Sequence, residues 1–581
     1  MKLQPRLAAL AGLAISMCAP ALLADVPPAM DRVPGATPVV LSIKNVKQFH
    51  SSVDKMVKML KLPPQSMVGL TQAAEFLKTD GLNTDGSAAV AFMKLGKEAD
   101  EEPLLVMILP VKDYAAFAKS LGGKGAGPEE VKYDGDTAFI KDVGGGFAAM
   151  SPKKELLDQV EGKPGNGKAF ETLMGATGKA INDASDTIVF ANMEAVGPML
   201  KAGMADMKEQ MEMMAAMGGG GANQAGFDMM QVLMEGFVND SSAGVMGFKS
   251  DDGGVHMDFG AQFKEGSPFA GYFNAKGNAG KLMSALPNQP FMFAMSMDTS
   301  SPGVKALFKK TLDAAKKNPE AAKMMSGLNP LESIQTLDGL AMGMGTSPAL
   351  MGGLFLNTTM YARTSDAAGY IKQMKDGFSA MNGKTFEGIT YQTAYEAGAA
   401  KAGEKPVDAW SMKMQLDPNN PAAQQMGQMQ MMLFGPSGMG GYISPADGGV
   451  VVTYAKNSEL MTKALDAAKS GNGLGTDAVV KAVGQQLPAD RNFEVQIGVK
   501  SILDTAIGFM GMMGAGPTDF KVPESVPPIG IAGTGTSGGM RMTVFLPTKT
   551  METFRDLGTS MQGGEGGEEP ADGEKAGQPK F

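Results

Sequence analysis

The sequence has very few of the residues that build disulfides, metal centres and catalytic triads. Among its 581 residues, one is cysteine, two are histidine and one is tryptophan. A single cysteine excludes a disulfide framework, an attached c-type haem and a cysteine-ligated iron–sulfur cluster. Because histidine is so scarce as well, the chain lacks the ligand set of a zinc finger. No cofactor is therefore expected.

Positively charged residues are also fewer than negatively charged ones. The chain has 52 Lys and Arg against 61 Asp and Glu, which gives a formal net charge of −9, and no basic run stands out. Proteins that bind nucleic acids need a basic surface, so we expect no nucleic-acid partner. The 43% hydrophobic and 19% charged residues are typical of a folded globular protein.

The N-terminal segment predicts export. Lys2 and Arg6 precede an apolar stretch at 7–16, and small residues follow up to Ala24. This order is that of a secretory signal peptide, here residues 1–24, and it predicts a periplasmic or extracellular protein. A second reading makes Cys18 a lipidated anchor, although the bulky Met17 before it argues against that. No later segment is long enough to span a membrane.

Four segments share one layout, in which an alternating strand is followed by a helix. The helices begin near Phe49, Pro198, Pro302 and Ile502. A change of apolar period from two to 3.6 residues marks each transition. The apolar strand positions are Val39, Leu41 and Ile43; Ile188 and Phe190; Phe291, Phe293 and Met295; and Phe493, Val495, Ile497 and Val499.

These repeats predict an α+β protein with antiparallel sheets and helices on one face. Hairpin turns are expected at 249–254 and at 537–539, and two strands around a turn at 339–356. The order of the elements predicts an internal duplication into halves at 37–286 and 287–562. Residues 25–36 read as a linker, and the Gly- and Glu-rich residues 563–581 as a disordered acidic tail.

Methionine is the most unusual component, with 50 residues. A helical hairpin is predicted at about 199–237, with methionines at helical spacing on both arms. Met211, Met213, Met214 and Met217 are close enough on one helix to be candidate Cu(I) ligands, because thioethers are soft donors. The alternative is structural, since methionine fills irregular apolar gaps and also forms adaptable binding surfaces.

No constellation of catalytic residues emerges from the sequence. The stretch 162–169 resembles a phosphate-binding loop, but Ala169 stands where the motif needs Ser or Thr. Gly535 to Gly539 match G-x-S-x-G, but a strand follows where a nucleophile elbow needs a helix. A hydrolase that uses two carboxylates stays open, since 61 acidic residues always supply pairs.

The unit that runs from Leu487 and Pro488 to Val499 resembles the repeated modules of large exported bacterial proteins of unknown function. The resemblance covers most of residues 33–562 and implies recurring strand–helix units with hairpins between them; it implies no catalytic residue. The leading hypothesis is an exported, non-enzymatic envelope protein that binds a partner protein or an apolar ligand through a Met-rich surface. The alternatives are a Cu(I) buffer and a carboxylate hydrolase.

Overall fold

The protein is an α+β protein built on one large antiparallel sheet. The computed structural model describes residues 26–61, 75–96, 103–133, 136–160, 165–216, 231, 233–317, 335–346, 353, 355–386, 389–416, 427, 431, 433–435, 438–512 and 520–563. Within these ranges no helix is both long and apolar enough to cross a membrane.

The described strands and helices alternate along the chain. The strands are β1 Val39–Ile43, β2 Ala88–Lys94, β3 Leu104–Pro110, β4 Glu129–Tyr133, β5 Asp136–Asp142, β6 Phe147–Ser151, β7 Thr187–Asn192, β8 Ser241–Asp251, β9 Gly254–Phe263, β10 Phe291–Asp298, β11 Gly339–Gly345, β12 Thr358–Arg363, β13 Thr385–Phe386, β14 Ile389–Ala402, β15 Lys405–Leu416, β16 Met439–Ala446, β17 Gly449–Thr453, β18 Phe493–Ile497, β19 Ile529–Thr536 and β20 Gly539–Pro547. The helices are α1 Val46–Leu60, α2 Tyr114–Ser120, α3 Lys154–Leu157, α4 Gly167–Ala184, α5 Met193–Ala216, α6 Pro268–Tyr272, α7 Ala279–Leu282, α8 Pro302–Ala315, α9 Ala367–Met381, α10 Ser458–Ser470, α11 Ala478–Gln485, α12 Val499–Met512 and α13 Thr548–Gly563.

All the described strands belong to a single sheet, and every pairing in it is antiparallel. The spatial order is β4-β5-β6-β3-β2-β1-β7-β8-β9-β20-β19-β18-β10-β11-β12-β17-β16-β15-β14-β13. Strands β1 to β9 thus lie on one side of the β9–β20 pair, and β10 to β20 on the other. The predicted duplication of the chain stays a prediction.

The β9–β20 pair joins the two sets of strands, and its centre carries a buried ion pair. Asp258 lies directly opposite Thr543, and its side chain accepts a hydrogen bond from the Thr543 hydroxyl. Arg541 donates two hydrogen bonds to the same carboxylate, at 2.8 and 2.9 Å. The Asp258 residue is only 3% exposed, so its negative charge depends on these donors.

The sheet has two chemically different faces. Face A is the side on which Asp258, Thr543 and Glu494 lie, and face B is the side on which Met257, Val544 and Val495 lie. These assignments follow from the register, because residues directly opposite each other in an antiparallel pair point to the same side.

Helices cover both faces, which corrects the expectation that they lie on one face only. On face A, α4 packs on β7, β8 and β9, while α10 and α11 pack on the strands beyond β20. On face B, α1, α2 and α9 pack on the outer strands. The physical reason is visible in β3, whose sequence LLVMILP is apolar at every position, so both of its sides need cover.

The structure confirms most of the local predictions. The strand–helix units, the hairpin turns after Asp251 and Thr536, and a helix that opens at Pro302 are all present. Pro302 needs no backbone donor in the first turn, and the Ser301 hydroxyl caps the N–H of Val304.

Three boundaries differ from those that the sequence predicted. Helix α5 begins at Met193, five residues before Pro198, since proline is tolerated near a helix start. Val499 starts α12 instead of ending β18. After β11 the next described strand begins at Thr358, beyond the predicted range of 339–356.

The structure describes several of the predicted segments only in part. Val26, Ala29, Met30 and Val33, in the stretch read as a linker, lie in the face A core instead of spanning open solvent. The first arm of the predicted helical hairpin is α5, residues 233–240 are helical, and Val196 packs with Val238. The signal peptide and residues 564–581 of the tail lie outside the described residues.

Substitution of Asp258 tests whether the buried ion pair stabilises the β9–β20 pairing. We expect Asp258→Ala to lower the free energy of unfolding by about 3 kcal/mol, because Arg541 keeps its charge in a mostly buried site without a partner. Asp376→Ala, which removes an exposed ion pair with Lys372, should change it by less than about 0.5 kcal/mol. Urea unfolding followed by circular dichroism measures both. Equal changes in the free energy of unfolding in the two variants would show that the β9–β20 pairing does not depend on this ion pair.

A second buried carboxylate, that of Asp186, has no hydrogen bond to either oxygen among the described residues. The residue is 5% exposed and lies between Ser185, the C-cap of α4, and the first residue of β7. Burial raises its pKa from 3.8 to about 7, although the ammonium groups of Lys44 and Lys249 act in the opposite direction. The carboxyl group is therefore protonated in the folded state over a wide acidic range.

This pKa shift predicts a pH-dependent stability. Between about pH 4 and pH 7 the folded protein binds the proton and the unfolded chain does not, so stability falls as the pH rises. Asp186→Asn removes this loss and should raise the free energy of unfolding at pH 8, by a few kcal/mol at most, since one pKa unit is worth about 1.4 kcal/mol. At pH 4 the gain should be much smaller. A gain of the same size at pH 4 and pH 8 would contradict the assignment.

Candidate functional site

The central strands present a continuous apolar surface on face B. We call it the apolar floor and define it as thirteen side chains of β8, β20, β9, β19, β18, β10 and β11 that are each partly exposed. They are Met246, Phe259, Phe293, Met295, Met297, Met342, Met344, Phe493, Val495, Ile497, Ile531, Met542 and Val544. The buried core clusters formed by the described residues include none of them.

The register places floor residues side by side across the sheet. One row of directly opposite residues crosses seven strands and consists of Met257, Val544, Ile531, Val495, Met295, Met342 and Met360. Neighbouring strands are about 4.8 Å apart, so this row is roughly 29 Å long. It is an apolar track that runs perpendicular to the strands.

Helices border the floor at the ends of its strands. Helices α1 and α13 pack at Met257 and Leu546, α6 packs at Met540, and α12 packs at Ile529. The floor side chains between these contacts are neither buried nor fully exposed. Water therefore reaches part of each of these side chains.

The central strands bury polar side chains and leave apolar side chains partly exposed to water, which is the reverse of the usual arrangement. Asp258, Glu494 and Gln496, on face A, are 3%, 2% and 0% exposed. Their immediate chain neighbours on face B are apolar and partly exposed. An ordinary antiparallel sheet buries its apolar face and leaves the polar face to water. Apolar surface that stays accessible is a common feature of binding sites, which makes the floor a candidate site.

The composition of the floor limits what can bind to it. It has no charged or hydrogen-bonding side chain, and about half of its members are methionine. The backbone N–H and C=O groups of these strands are engaged on both sides by neighbouring strands. A bound extended peptide would therefore leave its own backbone polar groups unpaired at a cost. A hydrocarbon chain has none, and flexible methionines adapt to its shape.

The sequence-based copper candidates lie elsewhere. Met211, Met213 and Met214 are on α5, and Met217 falls outside the described residues. Met213 is 59% exposed. The Cu(I) site stays a prediction. The sequence analysis placed Met295 on a strand but did not predict that strand methionines form a common surface. The period-two spacing of Met295 with Met297 and of Met342 with Met344 was the available signal.

The candidate catalytic groups do not come together. His256 lies on β9 opposite Phe545, at a ring distance of 4.6 Å, and burial lowers its pKa. The turn with Ser537 follows Thr536 and adjoins Gln262, six residues further along β9. Six residues of strand span about 20 Å, so His256 does not reach Ser537.

One recess does collect carboxylates. A cavity of about 530 Å³ between α1, α13 and the β8–β9 turn is lined by Asp251, Asp252 and Glu552, among others. Burial alone would raise the pKa of Asp251, but hydrogen bonds from Lys249 and from the N–H of Gly253 outweigh it and lower that pKa. The side chain of Asp252 is 99% exposed. Asp251 therefore does not have the raised pKa of a general acid.

No three His, Cys, Asp or Glu side chains of the described residues are grouped in a way that could hold a metal ion. Methionine is not among these ligand types, so the copper hypothesis stays a prediction.

Methionine oxidation tests whether water reaches the floor. Dilute hydrogen peroxide should oxidise Met295, Met342 and Met542 well before Met150 and Met461, which are 0% exposed, because oxidation follows access. Met213 on α5 serves as the fast reference. Peptide mapping by mass spectrometry gives each rate. If Met295, Met342 and Met542 react as slowly as Met150, water does not reach the floor.

Comparison of the chain with protein-family models, with curated proteins and with solved structures found no match.

Proposed function

We propose that the protein is an exported, non-enzymatic carrier that binds the acyl chain of a fatty acid or lipid on the apolar floor. The observation that carries the proposal is the inverted polarity of the central sheet. Polar residues lie buried under helices on face A, while apolar residues of the same strands are accessible to water on face B. Covering the floor with hydrocarbon removes this unfavourable exposure.

The dimensions of the floor support this occupant. The floor part of the row, from Val544 to Met342, crosses five strands and is roughly 19 Å long. One leaflet of the hydrocarbon core of a bilayer is about 15 Å thick, so a single extended acyl chain fits along this part of the row. The wider floor has space for a second chain beside it.

The sequence supports the location. Residues 1–24 have the basic, apolar and small-residue order of a signal peptide. A cysteine-poor lipid carrier would act outside the cytosol, in the envelope, where lipids must cross water. Strand addition by a partner is disfavoured on this surface, since the interior strands offer no free edge.

Titration with palmitate tests the function. The purified chain, stripped of bound lipid, should bind palmitate in isothermal titration calorimetry with a negative heat-capacity change, the signature of apolar burial. Met295→Gln combined with Met342→Gln should weaken binding about tenfold, because two directly paired floor side chains lose apolar contact.

The matched control is Met207→Gln combined with Met213→Gln on α5, where both side chains are exposed. This variant should bind palmitate within about twofold of the unchanged protein. Absence of palmitate binding, or equal weakening in the two variants, would refute the proposal.

A further inference from the structure

The last two turns of α12 are apolar and are not buried. Residues 505–512 include no charged residue, and the part of the chain that the structure describes buries none of residues 505–511. A Cβ added at Gly508 or Gly511 would meet no described atom within 4 Å. A helix that is apolar on all sides is normally enclosed by a protein core or by a membrane. This end of α12 therefore has the composition of an enclosed helix, yet it is open to water.

Helix α13 repeats the pattern that α12 exposes. On each helix, two large apolar residues seven positions apart have a small residue between them, so the three lie on one side of the helix. We call these six residues the helix patch: Ile502, Ala506, Phe509, Phe554, Gly558 and Met561. All six are exposed, and the four large side chains are between 40% and 55% exposed.

The two helices meet beside the helix patch. Leu557 of α13 packs against a cluster that contains Val499 and Leu503 of α12. Ile502 adjoins Leu503 in the chain, and Phe554 lies about one helical turn from Leu557. Helix α12 follows β18 and α13 follows β20, and both strands contribute to the apolar floor. The helix patch therefore lies just beyond the ends of floor strands.

The acidic groups nearest the helix patch are already paired. Asp504 forms an ion pair with Lys500 at 2.6 Å, and Asp556 forms one with Arg555 at 2.6 Å. Because the whole chain has a formal net charge of −9, a negatively charged surface would repel it. The helix patch therefore suits an apolar partner whose surface has no net charge.

The area and chemistry of the helix patch favour a membrane over a protein. A large side chain offers about 200 Å² when fully exposed, so four that are about half exposed offer roughly 350–400 Å². A stable protein interface takes about 800 Å² from each partner and contains about ten hydrogen bonds. The helix patch has no hydrogen-bonding side chain. A bilayer requires neither feature, because single apolar side chains can enter the boundary between headgroups and acyl chains.

We infer that the helix patch docks the protein on the surface of a lipid bilayer that has no net charge. The four large side chains enter the outer 5–10 Å or so of the bilayer. This inference rests on the proposed function for its purpose, since a carrier must meet the membrane that supplies its acyl chain. Docking itself is measured without palmitate, so the two proposals can fail separately.

The test is flotation of the purified full chain with vesicles of phosphatidylcholine. The unchanged protein should float with the vesicles, and 0.5 M sodium chloride should not release it, because the contact is apolar. Phe509→Gln combined with Phe554→Gln should lower the partition coefficient at least about tenfold, since two inserted side chains lose apolar contact. Failure of the unchanged protein to float, or its release by salt, overturns the inference.

The matched control is Met207→Gln combined with Met213→Gln on α5. These side chains are exposed to a similar extent, but α5 carries charged residues such as Asp206 and Lys208 beside them. This variant should float like the unchanged protein. Equal losses in the two variants would overturn the inference, and melting temperatures report whether each variant is folded.

Palmitate titration without vesicles separates docking from the proposed function. Phe509→Gln combined with Phe554→Gln should bind free palmitate within about twofold of the unchanged protein, whereas Met295→Gln combined with Met342→Gln should still float. Palmitate binding without flotation overturns the docking alone. Flotation that depends on the helix patch, without palmitate binding, supports the docking and refutes the acyl-chain site.

Two further measurements identify what covers the helix patch. In sedimentation equilibrium, a dimer that Phe509→Gln with Phe554→Gln dissociates would show that a second copy covers it, and would overturn the inference. Phe509→Trp places an indole in the helix patch, while Trp410 is 3% exposed. Vesicles should shift the emission of the added indole to shorter wavelength. An emission that does not respond to vesicles would contradict insertion of this residue.

Discussion

The pairing of β9 with β20 is the interaction on which the rest of the structure depends. It closes what would otherwise be two exposed sheet edges and makes one sheet from strands that are far apart in the chain. Arg541 and Asp258 are separated by 283 residues, yet they form a bidentate ion pair at the middle of this contact. Without it, the apolar floor would be divided between two smaller sheets.

The same pairing explains why the floor faces water. Near this pair, Asp258, Thr543, Glu494 and Gln496 lie buried on face A, which is the side that α4, α10 and α11 cover. Joining the sets at β9–β20 aligns their apolar sides into one surface on face B. The helices on face B pack on the outer strands or at the strand ends, which leaves the middle accessible. Burial of apolar area by a hydrocarbon ligand would then stabilise the folded state as well as hold the ligand.

Much of the local structure could be predicted from the sequence, but the site could not. Alternation at Phe493, Val495 and Ile497 correctly predicts a strand with an apolar side, because that pattern depends only on neighbouring residues. In an ordinary antiparallel sheet the apolar side would be buried and Glu494 would face water. The structure does the reverse, and the cause is the packing of α11 on face A, which depends on contacts between distant parts of the chain.

The central claim is that an acyl chain lies on the apolar floor, and a crystal structure with a bromine-labelled fatty acid tests it most directly. Anomalous scattering locates the bromine without reference to any assumed pose. The account predicts a bromine position over face B, in contact with side chains of β10, β18 or β20. A bromine position on face A, on the exposed side of α5, or at no ordered site would contradict it.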